Sequence, residues 1–261
     1  MKLSKAVGVC AAWFVAALLF NAGIFFIQGQ QKALEFFTGY VIELSLSVDN
    51  LFVFFLIFSH FKVEPAGQRR ILSWGVLGAQ LMRAIFILGG VALLKHLSWV
   101  IFVFGALLIF SGFKIFFKKN RIINPDQNIL SHSLERFIPK NLSAFWTVLI
   151  AIEIVDLIFA VDSVPAVLAI TKDPFIVYSS NIFAILGLRA MYLVLSPLID
   201  KFQYLHYTLG IILVFVGIKM LLDHVWQIPV GYALGFIAVV LFVFIAVSFF
   251  VNKKAETRKV I

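Results

Sequence analysis

One cysteine, Cys10, is present in 261 residues. That excludes an intramolecular disulfide and any CxxC metal or redox site, and Cys10 reads as a small apolar residue in the first hydrophobic stretch. No Walker phosphate loop occurs, so this chain does not hydrolyse ATP, and neither HExxH nor GxSxG is found. The five histidines, His60, His96, His132, His206 and His224, fall in loops or at the ends of apolar stretches. Zinc or copper selectivity would want such ligands at a buried centre. Charge is scarce as well: 13% of residues, with 13 acidic against 22 Lys and Arg. These absences point away from an enzyme.

What fills the chain instead is apolar surface, at 62% of residues and a mean hydropathy of +1.03. That composition belongs to an all-α polytopic membrane protein. A span needs about 20 apolar residues, and eight stretches qualify, at 6–27, 34–59, 71–94, 98–117, 143–170, 176–198, 204–223 and 230–251. The longest break, around 119–142, is polar and basic and reads as a linker between two halves. A net charge of +9 raises nucleic acid as a partner, but the distribution of the charges argues otherwise. Taking the termini and every second loop as one side, that side holds Lys2, Lys5, Lys62, Arg69, Arg70, the linker bases, Lys201 and the C-terminal bases, whereas the other holds Lys32, Lys95 and Lys172. This asymmetry places both termini in the cytoplasm. Trp74, Trp99, Trp146 and Trp226 fall near span ends, as interfacial aromatics do. Residues 1–27 also allow a cleaved signal peptide, for which the apolar stretch is long.

The two halves repeat one another. "ELSLSVDN" (43–50) aligns with "DLIFAVDS" (156–163), "AQLMRA" (79–84) with "ILGLRA" (185–190), and "FGALLIFSGFKIFF" (104–117) with "LGIILVFVGIKMLL" (209–222). Three matches in one order, each anchored on an intramembrane polar residue or glycine, make coincidence a poor explanation. Each repeat holds three spans, an odd number, so the second is inverted relative to the first. The expected architecture is eight transmembrane helices: an N-terminal flanking helix in 1–33, repeat 1 in 34–118, a cytoplasmic linker in 119–142, repeat 2 in 143–223, and a C-terminal flanking helix with a basic tail in 224–261. Folds of this kind place a substrate site near the midplane, between the repeats.

Glu43, Asp49, Glu153, Asp156 and Asp162 lie within these spans. A charge at a helix centre costs at least about 2.5–3.5 kcal/mol on insertion scales, so the five belong in the bundle interior. Arg83 and Arg189 are their available mid-span partners, and two arginines leave residual negative charge for protons or a cation to balance. Six residues separate Glu43 from Asp49 and Asp156 from Asp162, about 120° of rotation on an unbroken helix. Asp49 and Asp162 are therefore expected to face each other across the repeat axis, with Glu43 and Asp156 as outer rungs on opposite sides of the membrane. Pro165 is expected to loosen its helix and free carbonyl oxygens. Asn50, Ser163 and Asn181 add neutral oxygens, and the whole inventory suits Mg²⁺, Ca²⁺ or Mn²⁺. Lys114 and Lys219, near span ends, are expected to snorkel. An intramembrane aspartyl protease would want a glycine-flanked aspartate, which is missing here, and a non-transporting scaffold leaves the duplicated acids unexplained.

"ELSLSVDNLFVF", "QRRILSWGVLGAQLMRAIFI", "EIVDLIFAVDSVPAVLAIT" and "DPFIVYSSNIFAILGLRAMY" resemble the TerC family of bacterial integral membrane proteins over roughly residues 34–222. The resemblance implies export of Mn²⁺ across the bacterial plasma membrane, with inward proton movement as the drive. It gives Asp49, Asn50, Asp162 and Ser163 the metal-coordinating role, with Glu43 and Asp156 as supporting acids; Glu153, as the remaining intramembrane acid, joins the candidate metal set. Val155 stands where family members often carry a small polar residue. The ion is cargo, and no permanently bound cofactor is implied. Membrane lipids, a divalent ion and protons are the expected partners, and an auxiliary role beside the secretion machinery or another membrane protein is compatible with this. Mg²⁺ or Ca²⁺ transport and a scaffold in a tellurite-resistance complex are the alternatives.

Overall fold

A computed structural model describes residues 3–97, 99–117, 142–195, 205–222 and 225–259. The side chains of some further positions, Asp49 and Arg189 among them, lie outside the description, as does the expected linker except for Leu142. All regular structure among the described residues is helical: α1 (Leu3–Gln28), α2 (Gln30–His60), α3 (Pro65–His96), α4 (Val100–Phe117), α5 (Ala144–Leu168), α6 (Pro174–Leu195), α7 (Leu205–Leu222) and α8 (Val230–Lys259).

The helix boundaries follow local chemistry. α1 and α2 are separated by Gly29, whose φ of 91° lies where a side chain would be strained. Pro65 opens α3, where its missing N–H has no intrahelical partner to lose. α6 starts at Pro174 behind Asp173, whose Oδ1 accepts from the amides of Phe175 at 3.0 Å and Ile176 at 3.4 Å. That is an N-cap. Pro165 lies inside α5, but the helix continues through it to Leu168 and ends three residues later. The expected loosening is not seen as a break.

Among the described residues five helices are long and apolar enough to cross a membrane: Lys5–Gln28, Pro65–His96, Ala144–Leu168, Pro174–Val194 and Val230–Ser248. α4 and α7 carry shorter apolar segments, Val100–Phe116 and Tyr207–Leu222. Their 18 residues each correspond to about 27 Å, close to the ~30 Å of a hydrocarbon core. Large apolar side chains face outward, including Phe26 and Ile27 on α1, Leu81 and Ile85 on α3, and Val239 and Phe242 on α8. On a water-soluble protein so wide an apolar surface would drive association; facing lipid it is at home.

Inside, α2 packs on α6, α3 on α5, and α4 on α7, while α1 lies against α2 and α6 and α8 against α7 and α2. The α4–α7 contact brings the two backbones together at glycines, with Leu221, Val214, Phe116 and Ile109 packed into the same positions. A Cβ on Gly217 would stand 2.7 Å from the carbonyl oxygen of Gly105, and one on Gly105 would stand 3.1 Å from that of Gly217. A Cβ on Gly112 would meet the carbonyl of Gly210 at 2.7 Å, and the reverse distance is 3.0 Å. Each glycine thus meets the carbonyl of the glycine that is not its sequence match. Neither backbone can retreat cheaply. Gly217→Val is expected to lower stability in detergent by about 1–3 kcal/mol or more, the range for overpacking. Thermal unfolding followed by size-exclusion chromatography checks this, and a wild-type transition would contradict the close approach.

Candidate functional site

The α2, α3 and α5 helices converge on Arg83. Its position midway along α3 faces inward, leaving 1% of its surface exposed, and its guanidinium reaches both neighbours. Nη1 donates to Glu43 Oε1 of α2, and to Ser163 Oγ of α5 at 3.3 Å. Nε and Nη2 donate to the two carboxylate oxygens of Asp156 on α5, each at 3.4 Å. One planar fork therefore serves two acids and a hydroxyl, a task that suits arginine and not lysine. Both carboxylates are buried, so each depends on this pairing.

The arrangement corrects the expected rungs. Glu43 and Asp156 are not on opposite sides of the membrane; they share one guanidinium. Asp162, expected to face the repeat axis, instead accepts a 2.8 Å hydrogen bond from Ser111 of α4. Its neighbour Ser163 is the one that turns inward. The reason is rotational: adjacent residues on a helix point about 100° apart. Asp49 and Arg189 have side chains outside the description. Asn181 is buried on α6, and no hydrogen bond joins it to the Arg83 cluster among the described residues.

Partnerless oxygens mark a second feature. Glu43 Oε2, Ser47 Oγ and Asn50 Oδ1 are all buried without a hydrogen-bond partner. Residues 43, 47 and 50 are spaced four and three apart, so they form one stripe of α2. A buried acceptor left unpaired costs roughly 1–3 kcal/mol, and here three follow one another down one face. These are hard oxygen ligands in type. Among the described residues no three His, Cys, Asp or Glu side chains converge as a metal group, so any ion held here would rely on the neutral oxygens as well. Ser47 was missed by sequence reasoning, although its helical spacing from Glu43 and Asn50 was available. Ser111 was missed too, for it is a lone serine in an apolar stretch.

Glu153, one turn before Asp156 on α5, stands apart from both groups. Its carboxylate lies against α3, where a Cβ on Gly78 would approach Oε1 to 2.4 Å and Oε2 to 2.6 Å. Oε2 is buried and makes no hydrogen bond.

At the N-terminal end of α2 a cavity of about 400 Å³ opens beside the loop between α5 and α6. Lys32 bridges Glu35 at 3.0 Å and Asp173 at 3.1 Å, and Thr171 donates to Glu35 at 2.6 Å. Partial burial works against the charge of Asp173, but Lys32 and the two capping amides outweigh it and hold the carboxyl below its ordinary value. Burial likewise opposes the charge on Lys32, and Glu35 and Asp173 overcome it, holding the ammonium above its ordinary value. A depressed carboxyl stabilises the fold above its unfolded pKa of about 3.9 and loses that contribution as pH falls below it. Asp173→Ala, which removes cap and ion pair together, is expected to cost about 1 kcal/mol, the usual worth of an N-cap. Asp173→Asn keeps the cap and should cost less, since an exposed ion pair contributes ~0.2–1 kcal/mol. Thermal shifts of the two variants at neutral pH check the order, and equal losses would show that the cap contributes nothing. Lys219 also lines this cavity. It does not snorkel: it is buried, and Nζ donates to the carbonyl of Ala169 at 2.8 Å, just past the end of α5. A cation there complements the negative end of the helix dipole.

Comparisons with known proteins agree with this picture of a membrane-embedded helical bundle. The chain is 42% identical to the uncharacterized membrane protein STKORF319 of Myxococcus xanthus, covering 98% of this chain and 86% of that protein. It is 41% identical to a Salmonella typhi protein named "Putative membrane-bound redox modulator Alx", over 99% of this chain and 88% of the relative. A protein of the same name in Escherichia coli K12 is 39% identical over 99% and 88%. No solved structure matches the chain. The model of the integral membrane protein TerC family matches residues 28–256, and the chain belongs to that family.

Proposed function

We infer that this chain is a secondary transporter that exports a divalent cation, Mn²⁺ foremost, from the cytoplasm in exchange for protons. The observation that carries this reading is the stripe of buried, partnerless oxygens at Glu43, Ser47 and Asn50 beside an acid pair that Arg83 neutralises only in part. Such oxygens are at home around a hard dication. In this reading all eight helices cross the membrane, with 34–118 and 143–223 as inverted repeats. The cross-matched glycines of α4 and α7 support that relation, because a two-fold axis between the repeats would pair Gly105 with Gly217 and Gly112 with Gly210. Glu43 Oε2, Ser47 and Asn50 offer ligands from the first repeat and Ser163 from the second, joined by Asp49 through the family resemblance; Asp162, held by Ser111 of α4, stands outside this set. Both oxygens of Asp156 are taken up by Arg83, which makes Asp156 a charge partner in place of a ligand. The basic loops put both termini in the cytoplasm, and the cavity at Lys32 then opens on the far side.

Redox modulation appears in the name of the Alx relatives. With one cysteine this chain has no dithiol pair of its own, and metal transport accounts for the buried oxygens directly. The test is uptake of Mn²⁺, Mg²⁺, Ca²⁺ and Zn²⁺ into inverted membrane vesicles across an imposed pH gradient. Gradient-driven Mn²⁺ accumulation that is lost in Asp49→Asn supports the reading. Preference for Mg²⁺ or Ca²⁺ would change the cargo, and no accumulation of any divalent ion would overturn transport in favour of a scaffold.

A further inference from the structure

Glu153 is the intramembrane acid that the metal site leaves unused. It sits at the contact between α3 and α5, the first helix belonging to one proposed repeat and the second to the other. Its carboxylate occupies a notch that exists because residues 75 and 78 of α3 are glycines: an ideal Cβ at 78 would stand within 2.6 Å of three carboxylate atoms, and one at 75 would stand 3.6 Å from Oε1. The remaining wall of the notch is apolar, with Leu149 and Ile152 facing Gly75. Oε2 is buried with no hydrogen-bond partner, and Glu153 has no ion pair among the described residues.

The charged groups around it are accounted for elsewhere. Arg83, the base that α3 turns inward, is engaged by Glu43 from α2 and Asp156 from α5. Asp156, one turn further along α5, is a like charge that disfavours a second negative charge at Glu153. Arg189 of α6 has a side chain outside the description. A void of about 20 Å³, lined by Gly75, Ala79, Ile152 and Asp156 among others, shares two of these residues with the surroundings of Glu153, and it has room for about one water-sized group.

An ionised carboxylate in such a notch would be an uncompensated charge between two helices, which membranes tolerate poorly. A neutral carboxylic acid costs far less there, only the desolvation of an unpaired polar group, and keeps α3 and α5 in contact. The geometry points to Glu153 as the coupling-proton site of the transporter, separate from the metal ligands. This rests on the transport reading above. In the cycle, a proton from the water outside adds to Glu153 and closes the α3–α5 contact. A dication arriving near Glu43 and Asn50 then repels it; the O–H bond breaks, its electron pair stays on the carboxylate, and the proton leaves to water. Charge in the notch favours parting of α3 from α5. The two proposed repeats thereby acquire two arrangements selected by one proton.

The test uses purified full-length protein and has two arms. In the first, infrared spectra without metal seek a protonated-carboxyl C=O band that shifts in D₂O. The expected result is a band present in wild type, reduced in Glu153→Gln, and displaced in Gly78→Ala, whose added methyl pushes into the carboxyl. A wild type without such a band, or a band unchanged in both variants, overturns the proposal. In the second, MnCl₂ is added under weak buffering while a pH indicator counts released protons and the Mn²⁺ paramagnetic signal reports binding. Glu153→Gln is expected to release about one proton fewer per bound ion than wild type; equal release overturns the coupling role. If wild type binds no Mn²⁺, the metal reading fails, and the infrared arm still decides whether Glu153 holds a proton. If Glu153→Gln does not fold, Gly78→Ala carries both arms.

Discussion

Replacing Arg83 with alanine is expected to remove the folded protein, seen as loss of a monodisperse species in detergent. Arg83 joins Glu43, Asp156 and Ser163 where almost no surface is exposed. Deleting one member of a buried charge network costs about 3–5 kcal/mol, because the charges left behind lose their compensation. Total stabilities run at about 5–15 kcal/mol, so the loss consumes a large part of what there is. The cause is specific and therefore reversible. Glu43→Gln with Asp156→Asn, added to Arg83→Ala, removes the stranded charges and should restore a folded, transport-dead protein. Arg83→Lys should rescue only partly, since an ammonium cannot span three acceptors on two helices with a planar fork. A stable, active Arg83→Ala protein would show that the two carboxylates have another partner.

Asn50→Leu is expected to do the opposite: leave the fold intact or more stable while lowering Mn²⁺ affinity about 10–100-fold, the loss typical when groups around a metal are removed. Asn50 Oδ1 is buried and unpaired, so its desolvation of roughly 1–3 kcal/mol is not repaid within the protein. Leucine has the same branched heavy-atom skeleton and no such requirement. Thermal unfolding and Mn²⁺ titration by paramagnetic resonance, run on one preparation, separate the two effects. A variant that loses stability and keeps its affinity would make Asn50 a packing residue. Ser47→Ala should follow the same pattern with smaller changes.

Much of the fold was legible because hydropathy is a one-dimensional property. Every apolar stretch overlaps a helix, and the discrepancies are at ends: α2 begins at Gln30 and α3 at Pro65, ahead of the apolar residues they carry. Polar residues such as Gln31 and Arg70 continue a helix as readily as apolar ones, so hydropathy underestimates length there. The site was legible as a set of residues and not as an arrangement. Aligning "SVDN" with "AVDS" draws attention to matching aspartates, yet the structure turns Asp162 toward Ser111 and brings together Glu43 and Asp156, which differ in letter. Rotation of a helix about its axis decides this, and an alignment of letters carries no rotation. Periodicity does: 43, 47 and 50 share a face, as do 156, 160 and 163. Lys219 looked like a snorkelling base because its position near a helix end is visible in sequence, whereas the carbonyl of Ala169 that it caps is not.

The contact between α4 and α7 has a mechanical consequence. Most helix pairs interlock through side chains, and sliding or turning one against the other means lifting knobs out of holes. Where Gly105 meets Gly217 and Gly112 meets Gly210, the backbones touch, and Leu221, Val214, Phe116 and Ile109 of the facing helices fill the space beside the four glycines. Such a joint resists separation and sliding alike, because the glycines are the holes and those four side chains the knobs. In the proposed transporter it would therefore be the fixed seam between the two repeats, and the helices bearing the carboxylates would be the ones to move against it.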